Sequence, residues 1–96
     1  MASDPIDTVR ITVLFFASTR EAAGNIRQTE LCLTSGQANT AILRQVLADK
    51  YPKLAATVLD EQSVTLALNE EYISPGLVLP LQTGDTIALI PPISGG

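Results

Sequence analysis

The last six residues of the sequence, Pro91-Pro92-Ile93-Ser94-Gly95-Gly96, have the types and order best suited to chemistry. Each proline fixes φ and removes an amide donor, so the pair stops a strand and stiffens the chain beyond it. Gly95 and Gly96 have no side chain and reach backbone conformations closed to other residues. The expected outcome is a stiff stalk with a slim, bendable tip, and Gly96 is expected to carry a free α-carboxylate. A narrow channel in a partner could admit Gly95 and Gly96 and act on the terminal carbonyl. At neutral pH a terminal carboxylate, with a reference pKa of about 3.3–3.7, is ionised and a poor electrophile. It must first be activated, for instance as a mixed anhydride with AMP. The chain has no GxxxxGK[ST] loop and no GxGxxG turn, so the activating site belongs to another protein. On this reading the domain is a carrier whose reacting atom is its own C-terminus. The plain alternative is an incidental disordered end. Against it, the tail directly succeeds a buried-looking strand, and Ile93 is an apolar residue wasted on a random terminus.

The remaining composition agrees with a carrier. Histidine is absent, which excludes Ser-His and Cys-His nucleophilic sites and His-ligated metals built from this chain alone. Cys32 is the sole cysteine, so neither an internal disulfide nor a cysteine zinc cluster is available. As a sulfur-transfer thiol Cys32 lacks a nearby base, and an inert, half-buried strand cysteine is the expectation. Asp60-Glu61 and Glu70-Glu71 read as solvated doublets at turns rather than a carboxylate pair or metal site. Lys50 and Lys53 read as cations complementing a helix C-terminus. Ten acidic residues against six basic ones give −4, which argues against a nucleic-acid binder. The short apolar run Val13–Ala17 cannot span a bilayer, and the N-terminus lacks a basic leader region. With one unpaired cysteine these features point to a cytoplasmic protein. At 96 residues and 46% hydrophobic content, there is material for one aliphatic core only.

The elements that must position the tail are set by periodicity. Residues 1–8 are expected to be a flexible lead-in, 9–90 one folded domain, and 91–96 a flexible tail. Val9–Phe16 is rich in β-branched and aromatic residues and predicts a buried strand. Ser18-Thr-Arg-Glu21 has capping-box spacing for a short helix ending at Gly24, and Asn25 suits a positive φ. Arg27–Leu33 alternates, with Thr29, Leu31 and Leu33 on one face. Ala38–Tyr51 has Leu43, Val46, Leu47 and Tyr51 on one stripe, Arg44, Asp49 and Lys50 opposite, and Asn39 or Thr40 as cap. Pro52 ends this helix. Val64–Leu68, a short return strand at Tyr72-Ile73, and Thr86–Ile90 complete the order. Pro75, Gly76 and Pro80 mark the Leu/Val-rich stretch before the last strand as irregular or edge. Two strands, one main helix on one face, then three strands is an α+β arrangement that suggests a β-grasp.

With these residues in hand, PPISGG, the preceding GDTIALI, the upstream LALNEEY and the N-terminal FFASTREAAG together resemble the molybdopterin synthase small-subunit family. The likeness runs over residues 9–96. It implies a ubiquitin-like β-grasp with a mixed sheet. It also implies that a ubiquitin-activating-type adenylyltransferase/sulfurtransferase uses ATP to adenylate Gly96, after which a sulfur donor converts it to a thiocarboxylate. Gly96 then carries sulfur to cyclic pyranopterin monophosphate in the active site of a large subunit, in molybdenum cofactor biosynthesis. Gly95 allows insertion, and Pro91, Pro92, Ile93 and Ser94 position the tail. The implied assembly has two small and two large subunits, with no cofactor or metal on this chain, no nucleic acid and no membrane. This chain would be a sulfur-donor subunit whose catalytic residues lie on its partner. Many relatives carry an acid where this sequence has Thr86, a position where little functional effect is expected.

Two other readings compete. One is a related ubiquitin-like carrier serving thiamin or tRNA thiolation, or a modifier joined to lysines. The other is a β-grasp interaction module whose tail is incidental.

Overall fold

The computed structural model describes residues 8–91. Within them the chain runs β1 (Thr8–Phe15), α1 (Ser18–Ala22), β2 (Gln28–Thr34), α2 (Thr40–Lys50), a 3₁₀ turn (Pro52–Leu54), α3 (Ala55–Val58), β3 (Thr65–Leu68), β4 (Glu71–Tyr72) and β5 (Thr86–Ile90). The five strands form one mixed sheet in the order β2-β1-β5-β3-β4. β1 and β5 pair in parallel at its centre, with Thr12 opposite Thr86 and Phe15 opposite Leu89. β2 flanks β1 and β3 flanks β5, both antiparallel. Two antiparallel strand pairs whose outer chain ends meet as a parallel centre, with a helix crossing one face, define the ubiquitin-like β-grasp.

Alternation along the strands decides which face the helices cover. Ile11, Val13 and Phe15 of β1, Leu31 and Leu33 of β2, Leu66 of β3, and Ile87 and Leu89 of β5 all point to the helix side and are buried. Leu43 and Leu47 of α2, Leu54 and Val58 close the core over them. Asn39 caps α2, its side-chain oxygen accepting from the Ile42 N–H at 2.8 Å. At the other end of α2 the Tyr51 ring meets Phe15 edge-on, centroids 5.5 Å apart, which fixes the helix against the end of β1.

Several expectations are revised by packing. The Ser18–Glu21 capping box does not form: Ala17 precedes α1 at φ 51° and no side chain caps it. Thr19 instead ties the turn before the helix, its hydroxyl accepting from the Phe16 N–H at 2.9 Å and donating to the Phe16 carbonyl at 2.7 Å. Arg44 is not on an open helix face. Its two terminal nitrogens donate to the carbonyls of Val58 (2.6 Å) and Val64 (3.1 Å), clamping the 58–64 connection to α2. Burial lowers its pKa from the ordinary arginine value, with Glu61 and Asp60 opposing. The stretch after Pro52, which has no clear sequence period, forms the 3₁₀ turn and α3. Asn25 does take a positive φ, 65°. Asn69 and Glu70 also do so in the tight turn joining β3 to β4.

Candidate functional site at the tail end of the sheet

The tail follows β5, the middle strand of the sheet. β5 is hydrogen-bonded on both sides, to β1 and to β3, up to the Thr65–Ile90 pair. The Leu89 carbonyl lies 3.4 Å from the buried Thr19 hydroxyl, which ties the end of β5 to the start of α1. Pro91 comes next, half-buried, and leaves the sheet because it has no N–H to continue the ladder. Of the sequence-predicted site residues, Pro91 is thus placed directly after the central strand. Pro92, Ile93, Ser94, Gly95 and Gly96 lie outside the described residues.

Beside this exit lies a surface that periodicity reasoning missed. On the sheet face away from the helices, Leu14 and Phe16, Ala67, Tyr72, and Thr86, Ala88 and Ile90 line a shallow concavity of about 510 Å³. Phe16 is 44% exposed and Tyr72 73%, unusual for large rings on an otherwise well-buried sheet. Asn69 and Glu70 form its polar rim. The available signal was alternation. Phe15 points into the core, so Phe16, one residue on, must leave it. The concavity and the tail share Ile90 as their meeting point.

The other candidates are dispersed. Cys32 is exposed, not half-buried, because β2 is an edge strand and Cys32 lies on the face opposite Leu31 and Leu33. The Asp60 carboxylate accepts from the Gln62 N–H (3.0 Å) and the Ser63 hydroxyl (2.8 Å). Those two bonds, the backbone one first, hold its pKa below the ordinary value. Glu61 accepts from the Gly76 N–H at 2.8 Å and fixes the turn there. Both groups therefore have structural partners. Lys50 lies in the last turn of α2, with its ammonium 5.8 Å from the Tyr51 ring centroid. Among the described residues, no helix is long and apolar enough to cross a membrane.

The fold and exit geometry define a ubiquitin-like β-grasp protein with a C-terminal tail rooted in its central strand. By comparison with known proteins the chain belongs to the ThiS family, which matches residues 13–96. A molybdopterin synthase sulfur carrier subunit from Chlamydomonas reinhardtii is 39% identical over 88 residues, covering 92% of this chain and all of that one. Among solved structures, the small archaeal modifier protein 1 from Methanosarcina acetivorans is 32% identical with a TM-score of 0.68, covering 93% of this chain and 98% of that one. In the complex of subunits 1 and 2 of the molybdopterin-converting factor from Helicobacter pylori, the matching chain is 27% identical with a TM-score of 0.59. There the match covers 92% of this chain and all of that one.

Proposed function

We propose that this chain is the sulfur carrier subunit of molybdopterin synthase, and that Gly96 is the atom-bearing residue. The observation that carries this is similarity over 92% of the chain, at 39% identity, to a relative of that name, with the family match running to the last glycine. The chemistry is that of the tail. An adenylyltransferase of the ubiquitin-activating type uses ATP to place AMP on the Gly96 carboxylate, releasing pyrophosphate. A sulfur nucleophile attacks that acyl carbon and expels AMP, leaving a thiocarboxylate. The large subunit then receives the tail, and sulfur passes to cyclic pyranopterin monophosphate, with Gly96 returning to a carboxylate. Two charged carriers complete one dithiolene.

The chain's own residues have a positioning task. β5 holds the root of the tail, and Pro91, Pro92, Ile93 and Ser94 have the role of positioning it. Gly95 lets the tip pass through a channel that a Cβ would obstruct. The concavity of Leu14, Phe16, Tyr72, Ala88 and Ile90 is the docking face for the large subunit, because it is apolar, exposed and continuous with the tail. This chain binds no cofactor; ATP is bound by the activating partner.

Reconstitution tests the reading. The thiocarboxylated chain, a molybdopterin synthase large subunit and the pterin precursor should form a tight complex and yield the dithiolene product. A complex that gives no product, or no complex, rejects it. Similarity to a small archaeal modifier supports a second reading, in which Gly96 is joined to lysines of other proteins. Lysine-linked adducts formed from the adenylated chain without any sulfur donor would favour that reading.

A further inference from the structure

The parallel ladder at the centre of the sheet ends on a side chain rather than on backbone. Thr12 stands opposite Thr86, and its N–H donates to the Asp85 carbonyl at 3.1 Å. Bonds in a parallel pair repeat every two residues along each strand, so the later rungs from β1 run from Leu14 to Ile87 and from Phe16 to Leu89. A side chain takes over the last of these. The Phe16 N–H donates to the Thr19 hydroxyl at 2.9 Å, and that oxygen lies 3.4 Å from the Leu89 carbonyl. The hydroxyl thus stands between β1 and β5, its proton shared by the carbonyls of Phe16 (2.7 Å) and Leu89. β1 ends at Phe15, opposite Leu89, and Ala17 turns the chain into α1 at φ 51°, so no residue of β1 pairs with Ile90. On the other side β5 remains paired, Ile90 with Thr65. Thr19 is 2% exposed, one of two buried polar side chains among the described residues. The other, Thr40, does the same job elsewhere. Its hydroxyl accepts from the Leu79 N–H at 3.1 Å, at the opposite end of α2 from the Tyr51–Phe15 contact.

We propose that Thr19 is a positioning residue for sulfur loading, its hydroxyl closing the last rung between β1 and β5 and fixing the backbone from which Pro91 leaves the sheet. The proposal rests on the sulfur-carrier function given above and concerns residues 89–91 alone. Pro91 has no N–H, so it donates nothing toward either neighbouring strand. The start of the tail is then set by the last groups bonded to β5, Thr65 on one side and Thr19 on the other. A methyl in place of the hydroxyl fills the same volume. It leaves the Phe16 N–H without an acceptor and the Leu89 carbonyl without this donor. Every backbone torsion freed at the root widens the volume that a reacting group further along must search, which lowers the fraction of encounters that react. The apolar side chains of the docking face are unchanged by that substitution, so the loss falls on turnover rather than on binding.

Three variants of the full chain provide the test: Thr19→Val, Thr19→Ser and Thr40→Val, the last being the same deletion at the other buried threonine. Amide exchange needs no enzyme. In the wild type the Phe16 amide should be protected comparably to that of Leu14. Thr19→Val should speed exchange at Phe16 and Ile90 by at least about tenfold beyond any change at Leu43, which reports global opening. Thr19→Ser should restore protection, and Thr40→Val should produce no such local change. Sulfur loading is then followed at steady state with the adenylyltransferase, ATP and a sulfide source. Thr19→Val should lower kcat at least about fivefold with KM within about twofold of wild type, and Thr19→Ser should recover both. Thr40→Val should load as wild type. Undiminished loading by Thr19→Val overturns the proposal, as do an equal loss in Thr40→Val, a serine variant that fails to recover, or a loss confined to KM. An unprotected Phe16 amide in the wild type overturns it even where the valine variant does not fold. A chain with the expected exchange pattern that never takes up sulfur refutes the sulfur-carrier function and leaves the Thr19 rung standing.

Discussion

Phe15 and Phe16 are chemically identical neighbours with opposite surroundings. Phe15 is 2% exposed, locked between the sheet and Tyr51; Phe16 is 44% exposed on the other face. The same division runs through β5, where Ile87 and Leu89 are fully buried while Thr86, Ala88 and Ile90 line the open concavity. One set of strands thus serves two purposes separated by a single residue step. The helix-covered face provides the apolar burial that holds the fold. The open face leaves Phe16 and Tyr72 largely exposed around a buried Ala67. The tail begins at the end of the central strand, so the buried support and the open apolar concavity share one root.

Predictions that divide the two faces run from total loss to a small shift. Adding one alanine after Gly96 should abolish sulfur loading and transfer while leaving thermal unfolding unchanged, measured by intact mass and calorimetry. Loss of stability in that variant would show that the tail contributes to the fold. On the covered face, Leu47→Ala or Leu89→Ala should cost about 2–5 kcal/mol in denaturant unfolding, because both side chains are fully buried. The folded fraction should still load sulfur. Phe16→Ala reverses that profile. It should weaken large-subunit binding by about 2 kcal/mol, roughly thirtyfold in Kd, while changing stability by less than about 1 kcal/mol. A larger stability loss than affinity loss would erase the distinction between faces. Asn39→Ala, which removes the α2 cap, should cost about 1 kcal/mol of stability with no effect on loading.

The smallest effect is on the pH dependence of stability. Hydrogen bonds from Gln62 and Ser63 hold the Asp60 pKa below its unfolded value, so its contribution to stability is fully present above that unfolded value. It is lost as pH falls through the folded value. Asp60→Asn should therefore flatten the acid limb of the stability curve, with a small loss of stability at neutral pH, where the carboxylate's contribution is fully present, and little difference from wild type in acid. An unaltered acid limb would show that these bonds do not favour the carboxylate.

Much of this arrangement is legible in the residues. Leu31 and Leu33 alternate, Leu43 and Leu47 recur at helical spacing, Asn39 and Pro52 bound α2, and the prolines and glycines of the tail stand out by type. These signals are local, arising from strand pleat, helix period and φ preference. What escaped depends on distant partners. The environment of Cys32 reflects the edge position of β2, which pairing decides rather than sequence period. Arg44 reads as a solvent-facing cation until the 58–64 connection folds over it. At the start of α1, Ser18 and Glu21 have the right spacing, yet Thr19 ties the turn before the helix, where Ala17 takes a positive φ. The open concavity draws on β1, β3, β4 and β5, and only the sheet order brings Phe16, Tyr72 and Ile90 together.

The claim that Gly96 carries sulfur is tested most directly by the intact mass of the chain. It should be measured after incubation with the activating adenylyltransferase, ATP and a sulfide source. The expected result is a gain equal to replacement of one oxygen by sulfur, localised by fragmentation to Gly96 and absent without ATP. An unchanged mass, with the enzyme active on another carrier in the same preparation, would contradict it.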